Sequence, residues 1–421
     1  MTVTFDATDD AVVQCPYAKY REMRDEAPVL ELDGAQFGRP GERIFAVSRH
    51  EDVKRILHEP ATFSSRFGTP AAKPSPELLE RLREVIAQGW PNVPTMLTED
   101  PPTHTRYRQL VSKAFTPKRV KELEPAIRTI CNELVDGFER EGRVDFLNSF
   151  AVALPVRAVA VILEVPETRQ AEFKRWADSS VAAIGRAITD DERVAAELDI
   201  VEQQQYFASE IEDRRDNPRD DFLTDLLNAE LTPADGVEGG PLGMAEMLSI
   251  IRQIQVAGSE TTASLLADVM VQLANHPDEW ERLQADPSRA ALVVEEALRW
   301  ASPNQGLFRI VMADTEIAGT PVPAGSTVWV MYGSADHDDR VFDDPEEFRP
   351  DRPGVNQHMA FGHGIHFCLG AALARLEAVC ALQTLAARLD TIAVVDEESL
   401  RYGRSFILRG LEHLELDVTY R

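Results

Sequence analysis

Cysteine is scarce in this chain of 421 residues: there are four, Cys15, Cys131, Cys368 and Cys380, too few and too irregularly spaced for a disulfide framework. A reducing cytoplasm is the compartment they fit. Long apolar runs are missing too. The most apolar region, Ala151 to Val165, is broken by Pro155, Arg157 and Glu164, far short of the ~20 residues that cross a bilayer, so no membrane anchor is expected. Positive charge is in deficit. Lys and Arg total 44 against 71 Asp and Glu, a formal net charge of −27 that repels phosphate backbones and anionic lipid. Nucleic acid and membrane are not expected partners, although a local basic patch could still recruit an acidic protein. The stretch from Met1 to Cys15 has neither the cationic flank nor the apolar core of a secretory signal, so export is not expected. There is no Walker motif, and Gly362 and Gly364 lack the third glycine of a dinucleotide loop.

What is present is a globular balance, 44% apolar and 27% charged residues, enough to build a large core. At ~150 residues per domain the length suggests two to three domains, or one large enzyme domain. Strands are expected at Val29 to Leu32, Ile44 to Val47 and Thr327 to Met331, with Ser48 capping a helix through Val53, Ile56 and Leu57. Pro70 to Val93 reads as a surface excursion around one short helix, Pro76 to Gln88, of the kind that covers a ligand. Helical periodicity dominates from Thr103 to about Asn275, with a break at Arg215 to Pro218 and a loop at Leu231 to Leu242, rich in Gly and Pro, that includes Thr232 and Gly236. Met244 to Asn275 has no proline and predicts one helix of roughly 48 Å. Asp286-Pro287 predicts the start of a helix over Ser288 to Trp300, and Cys368 to Leu389 predicts another.

The most informative stretch is Phe361-Gly-His-Gly-Ile-His-Phe-Cys-Leu-Gly370, a glycine-punctuated loop that brings one cysteine to a helix start. Glycines allow close backbone approach to something flat and large. A helix N-terminus favours thiolate over thiol, which suits Cys368 to hold a metal. Three other readings compete: a small buried apolar residue, a zinc or non-haem metal site using His358, His363, His366 and Cys368, and a Cys–His nucleophile. The zinc reading lacks a paired Cys-x-x-Cys.

Phe361, Gly362, Gly364, His366, Cys368 and Gly370 resemble the haem-binding loop of the cytochrome P450 family in its soluble bacterial form. The resemblance implies haem b with Cys368 as axial thiolate ligand, which favours O–O cleavage, and His366 as a propionate contact. Three further elements resemble the family in order and spacing. Ala257-Gly-Ser-Glu-Thr-Thr262 sets polar residues inside an apolar helix, where they need partners or a task, and a bulge or kink is expected there. Alone it would read as a solvated face. By resemblance it is the oxygen-activation motif, with Glu260 and Thr261 as proton-delivering acid and alcohol, Ala257 beside the haem and Gly258 forming a groove for O2. The acid is Glu where many members have Asp.

Glu296 and Arg299, three apart on a helix, would alone be an exposed ion pair; with Arg352 they resemble the family's buried charge network supporting the haem loop. His104 and Arg108, in Asp100-Pro-Pro-Thr-His-Thr-Arg-Tyr-Arg108, would ordinarily be surface charge, and Arg309 a strand-edge charge. All three match propionate ligands, where charge-assisted hydrogen bonds suit a carboxylate.

The resemblance spans almost the full chain. It implies a mainly α fold with a small β region, a single domain over 1–421 with a disordered start at about 1–14, and haem between the long helix and the Cys368 helix. The implied activity is a monooxygenase inserting one atom of O2 into a small apolar organic substrate, with electrons from a separate ferredoxin and ferredoxin reductase. A peroxygenase or coupling catalyst on the same haem, or a haem sensor without turnover, are the alternatives. Candidate substrate contacts are Pro70 to Met96, Ala257, Gln305 (one hydrogen bond), Gly306, Leu307, Ile407 and Leu408; ordinary core packing would equally account for them.

Overall fold

The computed structural model describes residues 3–66, 74–138, 142–182, 188–231, 233 and 239–421. The fold is mainly helical, with small sheets at its margins. One helix spans Met244–Asn275, as the proline-free run predicts. At its start the Glu246 carboxylate accepts from the Gly243 N–H at 2.7 Å, satisfying one of the donors that a helix N-terminus leaves free. At its end Pro277 disfavours helical geometry at His276 and stops it. Every residue from Thr262 to Leu273 is buried, so this central helix forms the axis on which the other helices pack. The expected bulge at Ala257–Thr262 is not there, and the α-helix is continuous. Each competing hydroxyl instead bonds a carbonyl of its own helix four residues back, Ser259 to Gln255 and Thr261 to Ala257, both at 2.9 Å.

The largest sheet has five strands in the order Val29–Asp33, Arg43–Val47, Thr327–Val330, Leu307–Val311 and Phe63–Ser64. Only the Arg43–Val47 and Thr327–Val330 pair is parallel. Ser48 does not cap the following helix, His50–His58: its hydroxyl bonds the Pro28 carbonyl at 3.2 Å, and the distant Asp338 carboxylate accepts from the His50 N–H at 3.0 Å. The start of the chain also differs from expectation. Val3, Phe5, Ala7 and Val12 are buried against Tyr20, Met23 and Trp329, and Asp9 caps a short helix at Asp10–Gln14. The acidic residues that suggested disorder alternate with apolar ones that pack.

The helix Pro76–Ile86 lies on the long helix Asp190–Asp216, and the Gln204 amide exchanges two 3.0 Å hydrogen bonds with the Trp90 backbone. Residues 70–73 of that excursion, and Thr232 and Gly236 of the loop before the central helix, lie outside the described residues. The Asp286-Pro287 start opens a short 3-10 turn, and the α-helix proper is Ala290–Ala301. The cysteine-loop helix is shorter than predicted, Ala371–Arg388, because Leu389–Val394 leaves it as a strand.

Glu296, Arg299 and Arg352 meet, and all three are buried. Arg299 holds both Glu296 oxygens at 2.9 and 2.8 Å, Arg352 Nε reaches the same carboxylate at 3.0 Å, and the Arg349 N–H adds a bond at 2.9 Å. The spare guanidinium donors find carbonyls: Arg299 those of Asp336 and Pro345, Arg352 those of Asp343 and Glu347. This satisfies the condition under which a buried ion cluster persists.

Two predictions follow from these buried charges. Glu296→Ala leaves two buried guanidinium groups facing each other, and chemical denaturation is expected to register a loss of about 3–5 kcal/mol; a loss under 1 kcal/mol would show the cluster to be relaxed by solvent. Glu377, on the cysteine-loop helix, is a buried carboxyl with an unpartnered oxygen, and burial alone pushes it up to about 8. The unfolded chain loses this proton near pH ~4.3, so the contribution is complete below that and disappears as pH rises to about 8. Glu377→Gln is therefore expected to match the native protein at pH 5 and exceed it at pH 8 by a margin on the order of a few kcal/mol, read from paired denaturation midpoints; equal differences at both pH values would contradict it.

Candidate functional site

The loop before the helix Ala371–Arg388 is held from several sides. Gly362 and Gly364 have φ of +64° and +70°, in the region that glycine enters without strain. A Cβ at Gly364 would overlap the Leu57 carbonyl oxygen, so the loop lies directly on the end of the helix His50–His58. His363 Nδ1 accepts from the Gly364 N–H at 3.0 Å and meets His58 Nε2 at 2.7 Å. Gly362 N–H bonds the Met359 carbonyl at 2.7 Å and Cys368 N–H the Phe361 carbonyl at 2.9 Å. Phe361 lies under the Arg375 guanidinium at 4.6 Å. The buried charge network reaches this loop through Asp336, whose carboxylate takes the Ser302 hydroxyl and the Met359 N–H while Arg299 holds its carbonyl.

Glu295 supplies a second tie that the sequence did not single out. Burial pushes its carboxyl up, but the hydrogen bonds and charges of Arg375 and His358 outweigh burial and hold it at about 2. The signal available in the sequence was Arg375, two turns beyond Cys368. His358 is thereby committed to Glu295, His363 to His58, and His366 faces His104. Among the described residues no three His, Cys, Asp or Glu side chains are grouped to hold a metal, so the zinc reading has no ligand set.

The thiol of Cys368 departs from the simple dipole expectation. The helix begins at Ala371, and the Gly370 and Ala371 N–H groups do point at the sulfur, yet burial pushes the thiol up, ahead of these and of Arg108 and Arg375. Deprotonation here therefore requires a cation bonded to the sulfur, as coordination provides.

Four donor side chains converge near it. His104 and Arg108 are one turn apart on the helix Thr103–Ser112, and Arg309 stands on the strand Leu307–Val311. The His104 and His366 rings are 4.2 Å apart. Both nitrogens of buried His104, and Nε2 of His366, have no hydrogen-bond partner. Burial, then Arg309, His104 and Arg108, bring His366 down to about 3, and burial and Arg108 lower His104. Arg108 reaches the Phe367 carbonyl and Arg309 the Phe308 carbonyl. A buried set of cations and unused ring nitrogens fits a dianionic ligand such as the two propionates of haem.

The central helix shows Ala257 at its surface, within a helix otherwise mostly buried, and Glu260 and Thr261 are half-buried nearby. Gly258 has a different job from the one expected. A Cβ there would stand 2.8 Å from Val159 Cγ2, so its missing side chain lets the helix Ala153–Ile162 approach. Gln305 is spent as well: its amide accepts from the Tyr20 hydroxyl at 2.8 Å and donates to the Ala301 and Ser302 carbonyls, leaving no bond for a substrate. Gly306 is where the Val330 carbonyl and the Trp329 indole press against the chain. Ile407 is buried in the core around Trp329, whereas Leu307 and Leu408 are half-buried beside it.

Comparison with known proteins agrees with this geometry. The family description "Cytochrome P450" matches residues 189–398. Cytochrome P450 107B1 of Saccharopolyspora erythraea is 34% identical, covering 97% of this chain and 96% of its own, and 6-deoxyerythronolide B hydroxylase of the same organism is 32% identical over 98% of both. The structure of cytochrome P450 CYP109Q5 from Chondromyces apiculatus superposes with a TM-score of 0.84 at 37% identity, covering 100% of both chains. Likeness over the whole length, together with a buried donor set beside a cysteine on a glycine loop, places the chain in the cytochrome P450 family, as a monooxygenase whose cofactor is haem b on a cysteine thiolate.

Proposed function

We propose that this monooxygenase inserts one oxygen atom from O2 into a small apolar organic substrate, in the cytoplasm, with electrons from a separate ferredoxin and its reductase. The observation that carries the reading is the convergence of Arg108, Arg309 and the two unsatisfied histidines beside Cys368. In it Cys368 is the axial ligand; His104, Arg108, Arg309 and His366 hold the propionates; Phe361, Gly362 and Gly370 shape the cradle around the sulfur. Bound haem supplies dioxygen reduction and oxygen transfer, with the thiolate's electron density favouring O–O cleavage.

The chain's own part is to orient, exclude water and supply protons. Thr261 donates its hydroxyl proton to the Ala257 carbonyl at 2.9 Å, leaving its lone pairs free to accept from Glu260 and pass a proton on toward the exposed Ala257 surface. Glu for Asp lengthens that acid by one methylene without changing its chemistry. Glu296, Arg299 and Arg352 act through the loop they brace. Ile365 and Phe367 stand on the loop, 37% and 42% exposed, with Arg108 bonded to the Phe367 carbonyl; an apolar patch beside a cation supports docking of an acidic electron donor there.

Cys368→Ala is expected to lose the thiolate band of the reduced carbon-monoxide spectrum. Thr261→Ala should keep that band and keep consuming NADH in a reconstituted ferredoxin assay, with product per NADH falling roughly tenfold or more. Unchanged coupling would remove the relay role from Thr261. Product formed equally fast from hydrogen peroxide without electron donors would replace the monooxygenase route by a peroxygenase one, and absence of product from any member of a fatty-acid, terpenoid, steroid and aromatic panel would favour a sensor.

A further inference from the structure

The chain returns over the central helix near its end, between Arg401 and Leu411, and it is fixed there by a polar cluster that the reading above does not use. The Gly403 N–H bonds the Gly410 carbonyl at 2.9 Å, and the Gln305 N–H bonds the Ile407 carbonyl at 2.7 Å, so this turn carries Ile407 and Leu408 against the segment before Leu307. Two contacts hold it to the central helix. The Tyr402 hydroxyl donates to Asp268 Oδ1 at 2.9 Å, and Gly410 lies so close to the Ser264 hydroxyl that a Cβ would overlap it. Ser264 in turn bonds the Glu260 carbonyl at 2.9 Å.

Asp268 is 1% exposed and its second oxygen has no hydrogen-bond partner. The Arg409 guanidinium is stacked 3.4 Å over the Tyr402 ring and donates to the Val13 and Gln14 carbonyls. Gln14 completes the clamp with a two-way bond to the Tyr402 backbone, at 3.0 and 2.9 Å. A carboxylate buried in a helix with one donor is costly unless that donor fixes something. What it fixes here is a turn that ends one helical turn from Glu260 and Thr261.

We infer that Tyr402, through Asp268, is a positioning residue that sets where Leu408 stands in the wall of the distal pocket, and so sets which substrates fit. This rests on the haem-thiolate reading above. The effect is selective by size. A ligand too small to reach the wall gains nothing from the clamp, and one that fills the pocket depends on it.

The test uses two iron-binding probes on the full-length holoenzyme: imidazole, which reaches only the iron, and 4-phenylimidazole, whose phenyl ring presses on the pocket wall. Tyr402→Phe is expected to weaken 4-phenylimidazole about tenfold while imidazole changes less than twofold and the reduced carbon-monoxide spectrum stays thiolate-like. Asp268→Asn, which still offers Tyr402 a carbonyl oxygen, is expected to keep 4-phenylimidazole within about threefold of the native value. Equal changes for both probes, no change for either, or loss of haem in Tyr402→Phe would each overturn the proposal. A native protein that shows no thiolate band and binds neither probe would overturn the haem reading itself, an outcome distinct from these.

Discussion

A thiol in a buried site holds its proton, and Cys368 is such a thiol: burial outweighs the two backbone N–H groups and the nearby Arg108 and Arg375 that favour the anion. Coordination reverses that balance, because a metal cation at the sulfur stabilises the thiolate more than the N–H groups and arginines can together. The same logic governs the groups around it. His104 and His366 are buried with ring nitrogens unpaired, and each lowers the other's tendency to protonate. Unpaired buried polar groups cost stability. They are tolerable in a site whose bound state brings two carboxylates, and the stability they forgo in the protein alone returns as affinity for the cofactor.

The loop has to keep its shape while such groups are unsatisfied, and the neighbouring structure does this with charge and close contact. Gly364 rests on the Leu57 carbonyl, Asp336 joins the Met359 N–H to the arginine network, and Glu295 joins Arg375 to His358. Each tie comes from a different part of the chain. The loop is over-determined, and a cysteine held this way is pre-organised for one ligand geometry.

Much of this was legible in the sequence. The central helix was readable to the residue because its ends are chemical, a glycine-rich approach and His276-Pro277, and its interior has no breaker. Cys368, His104, Arg108, Arg309 and His366 were readable because their spacing resembles a family. What was not legible depends on partners far along the chain. Ser48 looked like a cap, but a carboxylate 288 residues away does that work. Gln305 looked available to substrate until Tyr20 claimed its oxygen. Gly258 looked like a groove, and only the packing of Val159 shows which side of the helix its missing Cβ serves. The start of the chain read as disordered because its acids are conspicuous, whereas Val3, Phe5 and Ala7 bury on a core assembled from Tyr20 and Trp329.

The central helix reconciles two demands that usually conflict. A helix buried along most of its length should be apolar, yet this one carries Ser259, Glu260, Thr261, Thr262 and Ser264 in close succession. Back-bonding of Ser259, Thr261 and Ser264 to carbonyls four residues earlier satisfies their protons locally, so the helix stays continuous and needs no neighbour to accommodate them. Close approach of Val159 at Gly258 and of Gly410 at Ser264 then fixes the helix from two sides. A proton relay placed between two such contacts inherits its geometry from packing rather than from its own hydrogen bonds. That is why a one-methylene change in the acid at Glu260 is compatible with the same chemistry: the alcohol is held by the helix, and the acid needs only to reach it.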